Sequence, residues 1–165
     1  MNIPVEWLLE GEPWTVFRTY VDLLDIPLDD ERVMASHNAV VNHPRVQQIL
    51  SILSDWPGEA LTSHKSPGHP LHLLSLITEF GINGNDPGMQ EIINRIVATR
   101  SIEGPFRILM NISPHFGGTG QDQLAWALCD APLVVYSLAQ LGLKDHLEIT
   151  RALEFLINLE RANGW

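Results

Sequence analysis

The sequence predicts an all-α fold, built as an α/α-hairpin repeat array, and three observations predict it. Apolar residues recur at helical spacing in segment after segment. Prolines stand at the starts of these segments and glycines at their ends, where each is best tolerated. Residues 70–106 are echoed by residues 130–165, at a spacing of about 60 residues, as an all-round apolar helix, a glycine stop and a one-sided helix. The chain has 165 residues, 45% of them hydrophobic and 18% charged, which suits one domain with a substantial core and not a disordered segment.

Taken in order, Pro13 to Leu24 places Trp14, Phe17, Val21 and Leu24 on one helical face. Asp29 or Asp30 can N-cap a following helix that runs to about Val41. Pro44 sits in the first turn of a helix through Leu53, with Val46, Ile49, Leu50 and Leu53 turned inward. After a loop rich in Ser, Pro and Gly, Pro70 opens a helix that is apolar on nearly every side, and Gly81 ends it. Asp86-Pro87 is expected to cap and start a helix through Arg100, with Met89, Ile92, Ile93, Ile96 and Val97 on one stripe. Residues 101–129 are less regular: Glu103-Gly104-Pro105 reads as a turn, Phe106 to Ile112 as extended chain, and Gly117-Gly118-Thr119-Gly120 as a loop. Pro132 opens a second apolar helix that Gly142 ends, and Asp145 is expected to cap a final amphipathic helix with Glu148 at the capping-box position. The reading is a single helical-repeat domain with units at about 13–58, 64–106 and 130–165, inner apolar helices being covered by one-sided outer ones.

A formal charge of −10 argues against nucleic acid and anionic membrane surfaces as partners. No apolar run reaches spanning length, and Met1 to Glu12 carries three glutamates in place of a basic leader. The lone cysteine, Cys129, excludes an internal disulfide, and a cytoplasmic setting is the expectation. The high apolar fraction implies surface that a partner covers or that lines a cavity.

The closing segment resembles the QW motif of terpenoid cyclases through Arg151, Ala152, Phe155, Leu156, Gly164 and Trp165. It departs in having Glu160 where that motif has Gln, and in having no residue between Gly164 and Trp165. With the repeat, the resemblance covers residues 64–165 and extends to the α/α-toroid superfamily of squalene and hopene cyclases and protein prenyltransferases, closest to bacterial prenyltransferase-like or squalene-cyclase-like proteins. It implies a partial or open α/α toroid, an isoprenoid-processing enzyme or a fragment of one, and a hydrophobic or isoprenoid small molecule as ligand. About three hairpins are present where the superfamily closes its ring with five to seven, so self-association or further repeats beyond Trp165 are expected to cover the inner face. The rival reading is a non-catalytic helical-repeat scaffold or apolar-ligand binder that uses this concave face.

Superfamily chemistry maps poorly onto the residues. Asp29-Asp30-Glu31 does not match the Asp-x-Asp-Asp acid of cyclases and reads as a helix cap. Prenyltransferases hold zinc through Asp, Cys and His, and Cys129-Asp130 lies at an inner-helix start with a different spacing. The richest cluster is His64, His69 and His72; His69 and His72 stand three residues apart at a helix entry, from which imidazoles can reach one point. A zinc rim would then comprise His64, His69, His72, Cys129 and Asp130, with His115 near it; the alternative is that all are loop and cap residues. Gly117-Gly118-Thr119-Gly120 lacks the Lys-Ser/Thr of a phosphate loop and reads as a connector, with Lys65 and Arg107 the nearest cations for a diphosphate. Trp14, Trp56, Trp126, Tyr136 and Trp165 could line an isoprenoid lumen or serve as plain core. His37, His43 and His146 read as surface or cap residues.

Overall fold

A computed structural model describes residues 4–63 and 65–162. Among them the chain forms eight α-helices and one two-stranded ribbon. The helices are α1 (Val5–Leu9), α2 (Pro13–Arg18), α3 (Glu31–Val41), α4 (Pro44–Leu53), α5 (Pro70–Glu79), α6 (Met89–Ala98), α7 (Ala131–Leu138) and α8 (Leu147–Ile157). The mainly helical expectation holds. The ribbon joins β1 (Ile108–Met110) to β2 (Gln123–Ala125), antiparallel, with Leu109 opposite Leu124. It qualifies the all-α reading and gives the extended stretch at 106–112 its partner. Ile108 and Met110 face inward and are buried, as the two-residue alternation of a strand requires.

The core forms around α5, which lies between α4 and α7 and buries Leu71, Leu73, Leu74 and Ile77. Helix α4 presents Val46, Ile49, Leu50 and Leu53, all buried, and α6 presents Met89, Ile92, Ile93 and Ile96. Helices α7 and α8 pack together and add Val134, Leu138, Ile149, Ala152 and Leu156 to the same cluster. No helix among the described residues is long and apolar enough to cross a membrane.

Three local expectations are corrected. The helix from Pro13 turns into a π-helical stretch at Thr19–Leu23. The wider turn breaks the 3.6-residue phase, so Phe17 stays buried while Leu24 rotates outward and is 39% exposed. Helix α6 begins at Met89 behind Gly88, which takes a left-handed conformation, because the Asp86 carboxylate is drawn elsewhere: it accepts from the Asn83 amide at 2.8 Å and faces His37. Helix α8 is capped by His146 and not by Asp145. Residues 13–58 hold three helices, α2 to α4, where the sequence marks three helical segments. The cap at Asp30 forms as expected: its carboxylate accepts from the Arg32 amide and guanidinium, which holds its pKa down at about 2.

Histidine is used in two opposed ways. His43, His69 and His146 each precede a helix and accept its Arg45, Leu71 or Glu148 amide through Nδ1, at 3.2–3.3 Å. An Nδ1 that accepts must be unprotonated, so each of these caps requires a neutral ring. His37 is the reverse. Its Nε2 lies 3.3 Å from Asp86 Oδ2, and the carbonyl of Gly81 accepts from the same ring. The Asp86 hydrogen bond raises the His37 pKa against the opposing effect of burial.

Gly81 and Gly142 end α5 and the turn after α7 at φ +98° and +96°, in conformations closed to most side chains. A Cβ at Gly81 would lie 2.3 Å from the Phe17 ring, whereas one at Gly142 would meet nothing within 4 Å. Gly142→Ala should therefore cost about 1–2 kcal/mol for its backbone alone, and Gly81→Ala should cost more, as read by urea denaturation of the two variants side by side. Stability should also depend on pH in a defined way. His37, with a raised folded pKa, contributes fully below about pH 6.5, and its contribution fades as pH rises through the folded value. In His37→Gln that alkaline loss should disappear, which denaturation at about pH 6 and about pH 8.5 measures.

Candidate functional site

Two regions compete as the working site: the predicted histidine rim at the starts of α5 and α7, and the outer face of the α7–α8 hairpin. At the rim, His69 is buried as the N-cap of α5. Nδ1 accepts from the Leu71 amide at 3.2 Å, which leaves the proton on Nε2 to donate to the Glu59 carbonyl at 3.0 Å. Both ring nitrogens are thus committed to backbone, and burial lowers the pKa. His72 approaches with its ring centroid 6.5 Å from that of His69. Asp130, buried at the entry of α7, is close enough to act on His69 electrostatically, so the two inner-type helix starts are neighbours.

Cys129 is exposed beside Asp130. Desolvation, followed by the charge of Asp130, pushes its thiol pKa up, away from the thiolate that a metal ligand or nucleophile must be. His115 lies elsewhere, in a short 3₁₀ turn (Pro114–Phe116) against the Phe116 ring. His64 is outside the described residues. The structure therefore gathers His69, His72 and Asp130. Among the described residues, no group of three or more His, Cys, Asp or Glu side chains is placed to hold a metal ion.

The glycine loop is a tight connector. Gly120 donates its amide to the Ile112 carbonyl, and a Cβ on Gly118 would fall 2.1 Å from that same oxygen, so the loop is folded onto the ribbon. The aromatics are dispersed. Trp14 stacks on Phe80 at 4.2 Å, Trp56 is buried, and Trp126 donates to Glu103 at 2.6 Å with its ring edge-on to Phe155. Gly164 and Trp165 of the QW-like end lie outside the described residues.

The α7–α8 face is the region that sequence reasoning missed. Between these helices runs a groove of about 570 Å³, lined from α7 by Pro132, Val135 and Tyr136 and from α8 by Ile149, Leu153, Leu156 and Ile157. Leu128, Ala139 and Lys144 complete it, the lysine being the single charged residue of the lining among the described residues. Tyr136, Leu153 and Ile157 are 44%, 48% and 52% exposed, so large apolar side chains line an open trough. The Tyr136 hydroxyl donates to Glu79 at 2.9 Å, which commits the polar tip and leaves the ring to form wall. Both helices have apolar residues on more than one face, and that surplus was the available signal.

Alkylation distinguishes a metal-bound Cys129 from one that holds no metal. Its reaction with iodoacetamide should accelerate as pH rises and should be unchanged by one equivalent of zinc; protection by zinc would restore the metal rim. Comparison of the chain with protein-family models, with curated proteins and with solved structures returns no match.

Proposed function

We propose that this protein is an open array of α/α hairpins that binds an apolar ligand in the groove between α7 and α8. Several contacts support the array. The hairpins α5–α6 and α7–α8 share a left-handed glycine after the first helix and are seated side by side: Gly84 donates its amide to the Leu141 carbonyl at 2.9 Å, and Gly104 lies against the α8 backbone at Arg151. Arg100, just beyond α6, pairs with Glu148 at the start of α8. In such an array the next hairpin would dock where the trough now lies open.

The observation that carries the binding reading is the trough itself. Its volume falls within the range of small-molecule sites, its walls are almost wholly apolar, and covering them stabilises a complex by about 25 cal/mol per Å². An isoprenoid-processing role would draw on the same apolar surface, with its acid unassigned, since Asp30 serves as a cap.

A saturable, one-to-one complex with a fluorescent hydrophobe is expected. The double variant Leu153→Gln/Ile157→Gln should weaken it about tenfold, with little change in unfolding midpoint because both side chains already face water. Native mass spectrometry of the purified protein should show a retained apolar adduct that the double variant loses. Binding that ignores the double substitution would place the ligand elsewhere.

A further inference from the structure

We infer that the ligand of the α7–α8 groove is a single-chain amphiphile with a monoanionic carboxylate head, seated with the head at Lys144 and the chain running toward Leu128 and Ile157. The inference rests on the reading of the groove as a ligand site. Its first support is the polarity of the trough. Among the described residues Lys144 is the only charged one in the lining, and it lies in the turn between the two helices, at one end of the trough. Leu128, before α7, and Ile157, at the end of α8, mark the other end, because helices joined by so short a connection run antiparallel.

The second support is charge complementarity at the Lys144 end. The first turn of α8 lies there, and its dipole adds positive potential to that of the ammonium group. His146 already caps the Glu148 amide, so the helix end contributes a field and not a vacant donor. Glu148 is held by Arg100 and Arg151, and Asp145 stands outside the lining. In a chain of net charge −10, Lys144 and the start of α8 supply positive potential at this end.

Head and tail are constrained separately. One ammonium balances one negative charge; a diphosphate would bring further charges that no other lining residue meets. Along the trough the Tyr136 hydroxyl is occupied by Glu79, so the tail meets carbon and asks for no polar group. The eight residues of α7 span about 12 Å, which suits a medium-length aliphatic chain.

Calorimetric titration with decanoate, decanol and decyltrimethylammonium, each below its self-assembly concentration, tests the assignment on the wild-type chain, Lys144→Gln and Leu153→Gln/Ile157→Gln. Decanoate should bind about fivefold more tightly than decanol, a preference typical of one exposed ion pair that added salt should reduce. The cationic analogue should bind most weakly. Lys144→Gln should bring decanoate level with decanol and leave decanol unchanged. If decanol matches decanoate in the wild-type chain, or if Lys144→Gln changes nothing while the double variant still loses binding, the head-group assignment fails and the groove stands. If no amphiphile binds, and sedimentation shows a concentration-dependent dimer that the double variant dissolves, the trough is a contact between copies and both readings fall.

Discussion

A helix buried on several sides must still satisfy the amides of its first turn and the carbonyls of its last, and in this protein the solution found for α5 organises everything around it. At the start, His69 spans two backbones: it accepts from Leu71 within the helix and donates to Glu59 in the preceding loop. At the end, Arg18 reaches across from α2 and donates to the carbonyls of Thr78 and Glu79 at 2.6 and 2.8 Å. A guanidinium at a helix C-terminus also complements the dipole. One end of the central helix is thus closed by its own cap residue and the other by a side chain that arrives from another segment. The helix can then remain apolar along its length and accept α4 on one side and α7 on the other.

The histidines extend the same economy of polar groups. Three of them replace the Ser, Thr, Asp or Asn that usually cap a helix, and each does so only as a neutral imidazole. His37 meets the opposite demand, since its ring is a donor to Gly81 and faces a carboxylate. Acid therefore undermines the His69 cap at the start of α5, whereas alkali releases the tie between α3 and the α5–α6 turn. The fold is held most firmly between those limits.

Much of the architecture was legible in the sequence because it is local. Pro44 and Pro70 fix helix entries, and the spacing of Val46, Ile49, Leu50 and Leu53 fixes the buried side of α4; neither depends on distant residues. The errors arise where distance matters. Asp86 is a good cap by type, but His37, far away in sequence, competes for its carboxylate, and Gly88 begins the helix instead. The π-helical turn after Arg18 has no compositional signature, so the outward rotation of Leu24 was hidden. The surroundings of the histidine rim were hidden for a similar reason. Spacing brings His69 and His72 together, but spacing does not reveal that the Glu59 carbonyl occupies the nitrogen a metal would need. The groove was hidden because a sequence marks which residues are apolar and not which of them remain uncovered after packing.

The reach of Arg18 has a kinetic consequence. Its partners lie 60 and 61 residues further along the chain. Closing a loop of that size costs roughly 3–4 kcal/mol of chain entropy before any contact repays it. Helices α5 and α7 meet across a similar stretch of chain, whereas the ribbon pairs residues within one hairpin. The N-terminal helices, of which α1 buries no residue and α2 only Phe17, should be among the first to detach. When they detach, the final carbonyls of α5 are released to water, so the most deeply buried helix would begin to fray from the end that faces α2.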